Sequence, residues 1–274
     1  MSNDDLGDRM KLYEGIEASR KFIPLLPVIA RIDGRAFHSF TRGMERPFDT
    51  RLREAMVNTA LWLVKHTGAK LGYTQSDEIT LVWQQSSFDE QLWFGGRISK
   101  MTSHLAAQAT LEFNLQIQKL MPAYAYRRPT FDARVWQLPN QEEAANAVIW
   151  REQDCVKNSV TMAAQCYYSH KALMGKSDSD RQEMLWQKGM NWNDYPVEFK
   201  RGVYIRRQKT REPFTTEELA DLPPKHNARV NPDLIVERSR VQVMTLPVFS
   251  KIKNRTDVIF RGADPIIGGK HEAS

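Results

Sequence analysis

The tightest constraint on the fold is a short run, Pro27-Val-Ile-Ala-Arg-Ile-Asp33, which is apolar and β-branched and breaks off at Asp33-Gly34-Arg35. Such a run reads as a strand ending in a turn, which leaves a carboxylate at the strand's carboxyl end. From Asp49, a good N-cap, the segment TRLREAMVNTALWLVKHT carries Leu52, Met56, Ala60, Leu63 and Val64 at helical spacing, with Gly68 just beyond it. Residues 70–74 and 79–83 read as two strands joined by Gln75-Ser76-Asp77-Glu78, so Asp77 falls at a hairpin tip. A helix is expected over about 96–119 and a fourth strand over 130–136. The order βαββαβ predicts an α+β fold with a ferredoxin-like unit in residues 1–140.

Beyond residue 140 the pattern changes. Asn140 and Glu143 resemble a capping box opening a helix, and helical signals continue to about residue 174. Then come Ser177-Asp-Ser-Asp-Arg181 and a Trp/Asn/Pro-rich stretch leading into basic Lys200-Arg201-Gly-Val-Tyr-Ile-Arg206-Arg207. Thr215 and Glu218 form a second capping-box pattern, residues 241–246 alternate as a strand would, and the tail 268–274 has no core-forming residues. Residues 141–274 are therefore expected to form a helical and basic region packed on the first unit as a second, smaller layer.

With 274 residues, 41% of them hydrophobic, the chain can bury one substantial core. Its 39 Lys and Arg against 33 Asp and Glu, a net charge of +6, favour a polyanionic partner such as RNA. Cys155 and Cys166 fit no metal or disulfide spacing and are expected to be inert core residues. No apolar run approaches the roughly 20 residues needed to span a bilayer, and the opening MSNDDLGDRM is unlike a signal peptide. A cytoplasmic protein without a membrane partner is expected.

The chemistry lies in the two acids. Asp33 and Asp77 are 44 positions apart, but in a ferredoxin-like sheet the first strand and the central hairpin are neighbours, so the two carboxylates can converge. Magnesium takes hard oxygen ligands, and two carboxylates plus a main-chain carbonyl, here that of Gly34, make a plausible protein share. Two such ions about 3.5–4 Å apart stabilise both the attacking and the departing oxygens in nucleotidyl transfer. Taken singly, each acidic turn reads as well as a solvated loop.

Two segments add a resemblance. Val28-Ile-Ala-Arg-Ile-Asp-Gly-Arg-Ala-Phe-His38 and Gly72-Tyr-Thr-Gln-Ser-Asp-Glu78 resemble the signature segments of the tRNA-histidine guanylyltransferase superfamily of 3′–5′ RNA polymerases, in the same order and at a similar separation. Further similarities run through Arg46-Pro-Phe-Asp49, Arg97 with Lys100, Phe131-Asp132, Trp150-Arg-Glu-Gln-Asp154, Arg181-Gln-Glu183 and Lys200-Arg-Gly202. Where eukaryotic members carry His-Ile-Asn-Asn-Leu-Tyr-Asn, this chain reads Val156-Lys-Asn-Ser-Val-Thr-Met162, which resembles the bacterial and archaeal branch.

The resemblance implies a palm domain like that of ordinary polymerases, used in reverse: an incoming nucleotide's 3′-hydroxyl attacks an activated 5′-phosphate of tRNA. It implies template-dependent repair of tRNA 5′ ends, with G addition to histidine tRNA as a secondary or alternative activity. The cofactors would be two Mg²⁺ ions, with GTP, ATP and other nucleoside triphosphates as substrates. Asp33, Gly34 and Asp77 would be the metal ligands, with Asp33, Asp77 and Glu78 catalytic. Arg31, Arg35, Ala36, Phe37, His38, Arg46 and Ser76 would join Asp33, Gly34 and Asp77 in holding the nucleotide, His38 as a neighbour of the substrate and not as a general base. Arg97, Lys100, Asn158, Arg181, Lys200 and Arg201 would contact tRNA, with Arg206, Arg207, Lys209 and Arg211 extending a basic surface. The family's members imply a homotetramer. Two rivals remain: a palm-domain nucleotide cyclase using similar carboxylates, and a non-catalytic tRNA-binding protein, which would have lost one of the acids.

Overall fold

The computed structural model describes residues 5–231 and 233–268, except for the side chain of Lys209. In chain order the elements begin with α1 (Asp5–Ala18), β1 (Val28–Arg35), α2 (Phe37–Phe40), α3 (Thr50–Thr67), β2 (Leu71–Gln75), β3 (Glu78–Trp83), α4 (Ile98–Leu120) and β4 (Thr130–Gln137). They continue with α5 (Gln141–Ala164), α6 (His170–Leu173), α7 (Asp178–Trp186), α8 (Val197–Arg201), β5 (Val203–Pro213), α9 (Thr216–Asp221), α10 (Asn227–Val230), β6 (Ile235–Met244) and α11 (Arg255–Phe260). The tail beyond Gly268 lies outside the described residues.

The six strands form one antiparallel sheet in the order β4-β1-β3-β2-β5-β6. Alternation along the strands sorts the side chains onto two faces. Val28, Ala30 and Ile32 of β1 and Ile79, Leu81 and Trp83 of β3 pack against Ala55, Met56 and Leu63 of α3 and Met101, Leu105 and Phe113 of α4. Ile29, Val82 and Leu71 point the other way, into a core with Ala144, Val148 and Cys155 of α5 and Val258 and Ile259 of α11. The result is an α+β fold in which the sheet lies between an α3–α4 layer and an α5–α11 layer.

Local chemistry sets the helix ends. Asp49 caps α3 by accepting the Arg51 N–H at 3.0 Å, and Gly68 closes it at φ 73°. Asn140 caps α5 through the Glu143 N–H at 2.8 Å, but the Glu143 carboxylate turns to Asn146, so that capping box is half made. The box at Thr215 and Glu218 is complete.

The second half of the chain departs from the expected separate layer. β5 pairs with β2 from Tyr73↔Tyr204 to Leu71↔Arg206, and β6 pairs along β5, so both extend the sheet. Val203 and Ile205 thereby join the α3–α4 core. Of the two cysteines Cys155 is buried as expected, whereas Cys166 is exposed past the end of α5, where the helix has left the sheet.

Gly34 is the point at which the core reaches the end of β1. A Cβ there would lie 2.4 Å from the Phe37 ring, which is buried and packed at centroid distances of 5.1–5.5 Å against Phe40, Phe113 and Phe131. The Gly34→Ala variant is therefore expected to be about 1–3 kcal/mol less stable in urea unfolding, the usual penalty for an added methyl in a packed site. Unchanged stability would contradict this packing.

Candidate active site

The register of β1 against β3 sets Asp33 opposite Glu78, and the Gly34 N–H donates to the Asp77 carbonyl at 3.0 Å. The end of β1 and the β2–β3 hairpin are thus joined by main chain, with Asp33 and Asp77 side by side. Each of the two turns is held by a non-glycine residue in the left-handed region, Ala36 at φ 54° and Ser76 at φ 49°. Backbone of this kind costs of order 1–3 kcal/mol and concentrates at functional loops.

The three acids differ in their surroundings. Burial pushes the Asp77 carboxyl above its usual range, the Ser76 hydroxyl donated to Asp77 Oδ1 at 3.0 Å pulls it partly back, and the charge of Asp33 adds to the rise. Glu78 is also raised by burial, against the opposing pull of Arg151 and Arg31. Both its oxygens are held: Arg151 Nε donates to Oε1 at 2.7 Å and Nη2 to Oε2 at 2.9 Å. The Asp33 carboxylate has no hydrogen-bond or ion-pair partner among the described residues.

Beside Asp77 opens a cavity of about 580 Å³, within the range of small-molecule sites. Its walls come from the turn after β1 (Gly34, Ala36, Phe37, His38), from Arg46 and Phe48, from Ser76 and Asp77, and from one face of α5. Cys155, Asn158, Ser159 and Met162 line it at helical spacing. Sequence reasoning had singled out only Asn158 among these, although the i, i+3, i+4, i+7 pattern was there to be read. Phe199 also lines the cavity and gave no signal. Burial pushes the Cys155 thiol up to about 12, so this wall is chemically inert.

The remaining expected site residues are dispersed. Arg31 lies on the α5 face, 3.9 Å from Glu78 and 5.8 Å from the Trp150 ring, and Arg35 is exposed at the strand end; neither lines the cavity. Arg181 pairs with Asp178 within α7 and ties that helix to α5 through Thr161. Lys200 donates to the Asn193 carbonyl and lies over Trp192, while Arg201 pairs with buried Glu152 at 3.6 Å. Arg206 is 1% exposed and pairs with Asp264, and Arg207 donates to the carbonyls of Val64 and Lys65 at the end of α3. These are internal anchors. Arg211 is exposed, and the side chain of Lys209 lies outside the described residues.

Arg97 and Lys100 are exposed at the start of α4, where the Ile98 N–H meets the Arg20 carbonyl and Lys21 bridges to Arg97. No acid occupies the first turn of this 23-residue helix, so four basic side chains surround its positive end. This patch lies toward the start of β1, some five residues or about 16 Å of strand from Asp33. Arg20 and Lys21 were missed in the sequence because they fall outside any regular element. Asp132, noted in the sequence as part of a family-like segment but given no role in the site, is placed by the register directly opposite Asp33 on β4, 3.7 Å from Arg134.

The donor set suits a hard divalent cation. Asp33 and Asp77 are adjacent carboxylates without a basic partner among the described residues, beside the Gly34 main chain. No group of three or more His, Cys, Asp or Glu side chains gathers as a metal site among the described residues, so main chain, water or substrate oxygens would complete the shell.

A family model described as Thg1, tRNAHis guanylyltransferase, matches residues 7–139. The tRNA(His) guanylyltransferase of Schizosaccharomyces pombe is 30% identical over 213 residues, covering 72% of this chain and 78% of that protein. Among solved structures, a bacterial tRNA(HIS) guanylyltransferase (Thg1)-like protein in complex with ATP matches with a TM-score of 0.70 at 42% identity, over 73% of this chain and 88% of that one. Another bacterial Thg1-like structure, in complex with GTP, matches with a TM-score of 0.67 at 35% identity, over 90% and 95% of the two chains.

Because burial holds the Asp77 carboxyl above its ordinary 3.8, the folded protein favours its protonated form. That favour is fully present below the unfolded pKa and is lost as pH rises through the folded one, so ionised Asp77 weakens the metal-free fold at neutral pH. Asp77→Asn is expected to melt higher than wild type at pH 7–8 in chelator, with the gap closing toward pH 4. Added Mg²⁺ is expected to raise the melting temperature of wild type and not of Asp77→Asn. A variant that melts no higher, or responds equally to Mg²⁺, would contradict this reading.

Proposed function

The chain belongs to the tRNAHis guanylyltransferase family, whose members are nucleotidyltransferases, and from that premise we propose that it is a template-dependent 3′–5′ polymerase that adds nucleotides to the 5′ end of tRNA. The observation that carries the proposal is the pairing of Asp33 with Asp77, the latter opening on the cavity walled by Gly34, Ala36, Phe37, His38 and Ser76, while Asp33 itself is not among the cavity's lining residues. The relatives in complex with ATP and GTP support a nucleoside triphosphate as its occupant. The split strand order β4-β1-β3-β2, with α3 and α4 crossing one face, supports reading residues 1–140 as a palm. The chain beyond residue 140, which covers the sheet's other face with α5 and extends the sheet with β5 and β6, would then contact tRNA.

Mg²⁺ ions held by Asp33, Asp77 and the Gly34 carbonyl would supply charge neutralisation at the transferred phosphate and activation of the attacking hydroxyl. The protein's own work is placement. The turns at Ala36 and Ser76 fix the two acids, His38 and Arg46 line the nucleotide's cavity, and the wall of α5 excludes water on the far side. A Watson–Crick pair with the opposite strand would bring the incoming 3′-hydroxyl in line with the activated 5′-phosphate, whereas a mispair would misplace it, and misplacement by about 1 Å costs on the order of a hundredfold in rate.

The exposed cluster of Arg20, Lys21, Arg97 and Lys100 favours an RNA backbone contact remote from the acids. A tetramer would give a partner to α1, which buries none of its residues and exposes Leu6, Met10, Tyr13 and Ile16. No helix among the described residues is long and apolar enough to cross a membrane. A nucleotide cyclase would need no such RNA patch, and a degenerate binding protein would not retain both acids.

The test incubates the protein with Mg²⁺, labelled nucleoside triphosphates and tRNAs either intact or lacking their 5′ nucleotide. Template-matched extension of the truncated tRNA is expected. Addition of a single G to histidine tRNA alone would favour the dedicated guanylyltransferase, and cyclic nucleotide would overturn the proposal. Asp33→Ala and Asp77→Ala are expected to abolish transfer while leaving fold and tRNA binding largely intact. Unfolding of both variants would defeat the assignment.

A further inference from the structure

Arg151 stands in the middle of α5 with 5% of its surface exposed. Beyond its two bonds to Glu78, its Nη2 also donates to Asp154 Oδ2 at 2.7 Å. The Trp150 ring covers the guanidinium at 4.4 Å. Asp154 Oδ2 in turn accepts from Asn158 Nδ2 at 3.2 Å. Residues 151, 154 and 158 follow one another at i, i+3 and i+7, so a single helical face carries the whole row.

The two ends of this row lie at different parts of the site. Glu78 follows Asp77 in the chain and sits opposite Asp33 in the sheet. Asn158 lines the cavity. We propose that Glu78, Arg151 and Asp154 form a relay that orients the Asn158 amide toward a hydrogen-bonding edge of the bound nucleoside triphosphate and holds it in register with the Asp33–Asp77 pair. Arg151 and Asp154 are then positioning residues, and Asn158 is the one that touches the ligand. The inference rests on the nucleotidyl-transfer reading for the identity of that ligand.

Each link needs the one before it. An asparagine within a helix is free to bond a nearby carbonyl or solvent, and here one amide N–H is taken by Asp154, which fixes the plane of the group. The Asp154 side chain is 37% exposed and would by itself be a mobile surface acid. Arg151 fixes it because the guanidinium cannot rotate while two of its N–H groups hold Glu78. A planar fork can serve two carboxylates at once in this way, whereas the ammonium of a lysine is a single point charge. The geometry also accounts for Glu78, whose two oxygens are turned to α5 and not to the acid pair.

The test uses the full chain and four variants: Asp154→Ala, Asp154→Asn, Asn158→Ala and the double Asp154→Ala/Asn158→Ala. Equilibrium dialysis gives Kd for GTP and ATP, extension of 5′-truncated tRNA gives kcat and KM, and melting temperatures monitor the fold. Asp154→Ala is expected to raise KM and Kd about five- to tenfold, the worth of one hydrogen bond, with kcat within about threefold and melting little changed. Asn158→Ala is expected to do the same, and the double variant to be no worse than either single one, because both remove the same contact. Asp154→Asn keeps an acceptor oxygen and is expected to recover most of the affinity.

Multiplying effects in the double variant, or an unchanged Kd in Asp154→Ala, would overturn the relay while leaving the nucleotidyl-transfer reading intact. A wild-type protein that binds neither nucleotide would overturn that reading, and the relay with it.

Discussion

The site depends on how β1 meets the β2–β3 hairpin. With Asp33 opposite Glu78 and the Gly34 N–H on the Asp77 carbonyl, residues 44 positions apart share one turn of main chain. Side chains alternate along a strand, so a slip of one residue would turn Asp33 into the α3–α4 core and Ile32 out of it. The apolar face of β1 therefore guards the position of the acid: Val28, Ala30 and Ile32 fit only against α3 and α4. The same core reaches into the catalytic turn through Phe37, whose ring occupies the space a side chain on Gly34 would need.

Two consecutive acids then acquire different tasks from backbone position alone. Asp77 belongs to the turn, opens on the cavity and faces Asp33 with no cation of the protein's own among the described residues. Glu78 is the first residue of β3, and the strand directs it into the α5 layer, where Arg151 meets both its oxygens. Leaving such a buried charge unpaired would cost about 3–5 kcal/mol, so the pair fastens α5 to the sheet beside the acids. An adjoining segment of the same helix forms the cavity wall, which makes the position of α5 part of the site.

Much of this was legible in the sequence. The β-branched run ending at Asp33, the helical spacing from Leu52 to Val64 and the polar hairpin at residues 75–78 are local signals, and each corresponds to an observed element. What was not legible is pairing and burial at long range. Arg206 and Arg207 read as part of a basic surface for RNA, yet β5 sits between β2 and β6, so one guanidinium is buried and the other caps α3. Arg201 read as a tRNA contact because its partner Glu152 lies 49 positions away, on a helix whose facing the sequence does not give. Met162 and Phe199 carry no chemical signature, and only the packing of α5 and α8 near the turn after β1 brings them to the cavity.

The most direct measurement is anomalous diffraction from Mn²⁺ in crystals grown with a non-hydrolysable nucleoside triphosphate. Manganese is expected between the Asp33 and Asp77 carboxylates and the Gly34 carbonyl, next to the triphosphate, with Glu78 still held by Arg151. Metal bound elsewhere, with those two carboxylates unliganded, would contradict the account.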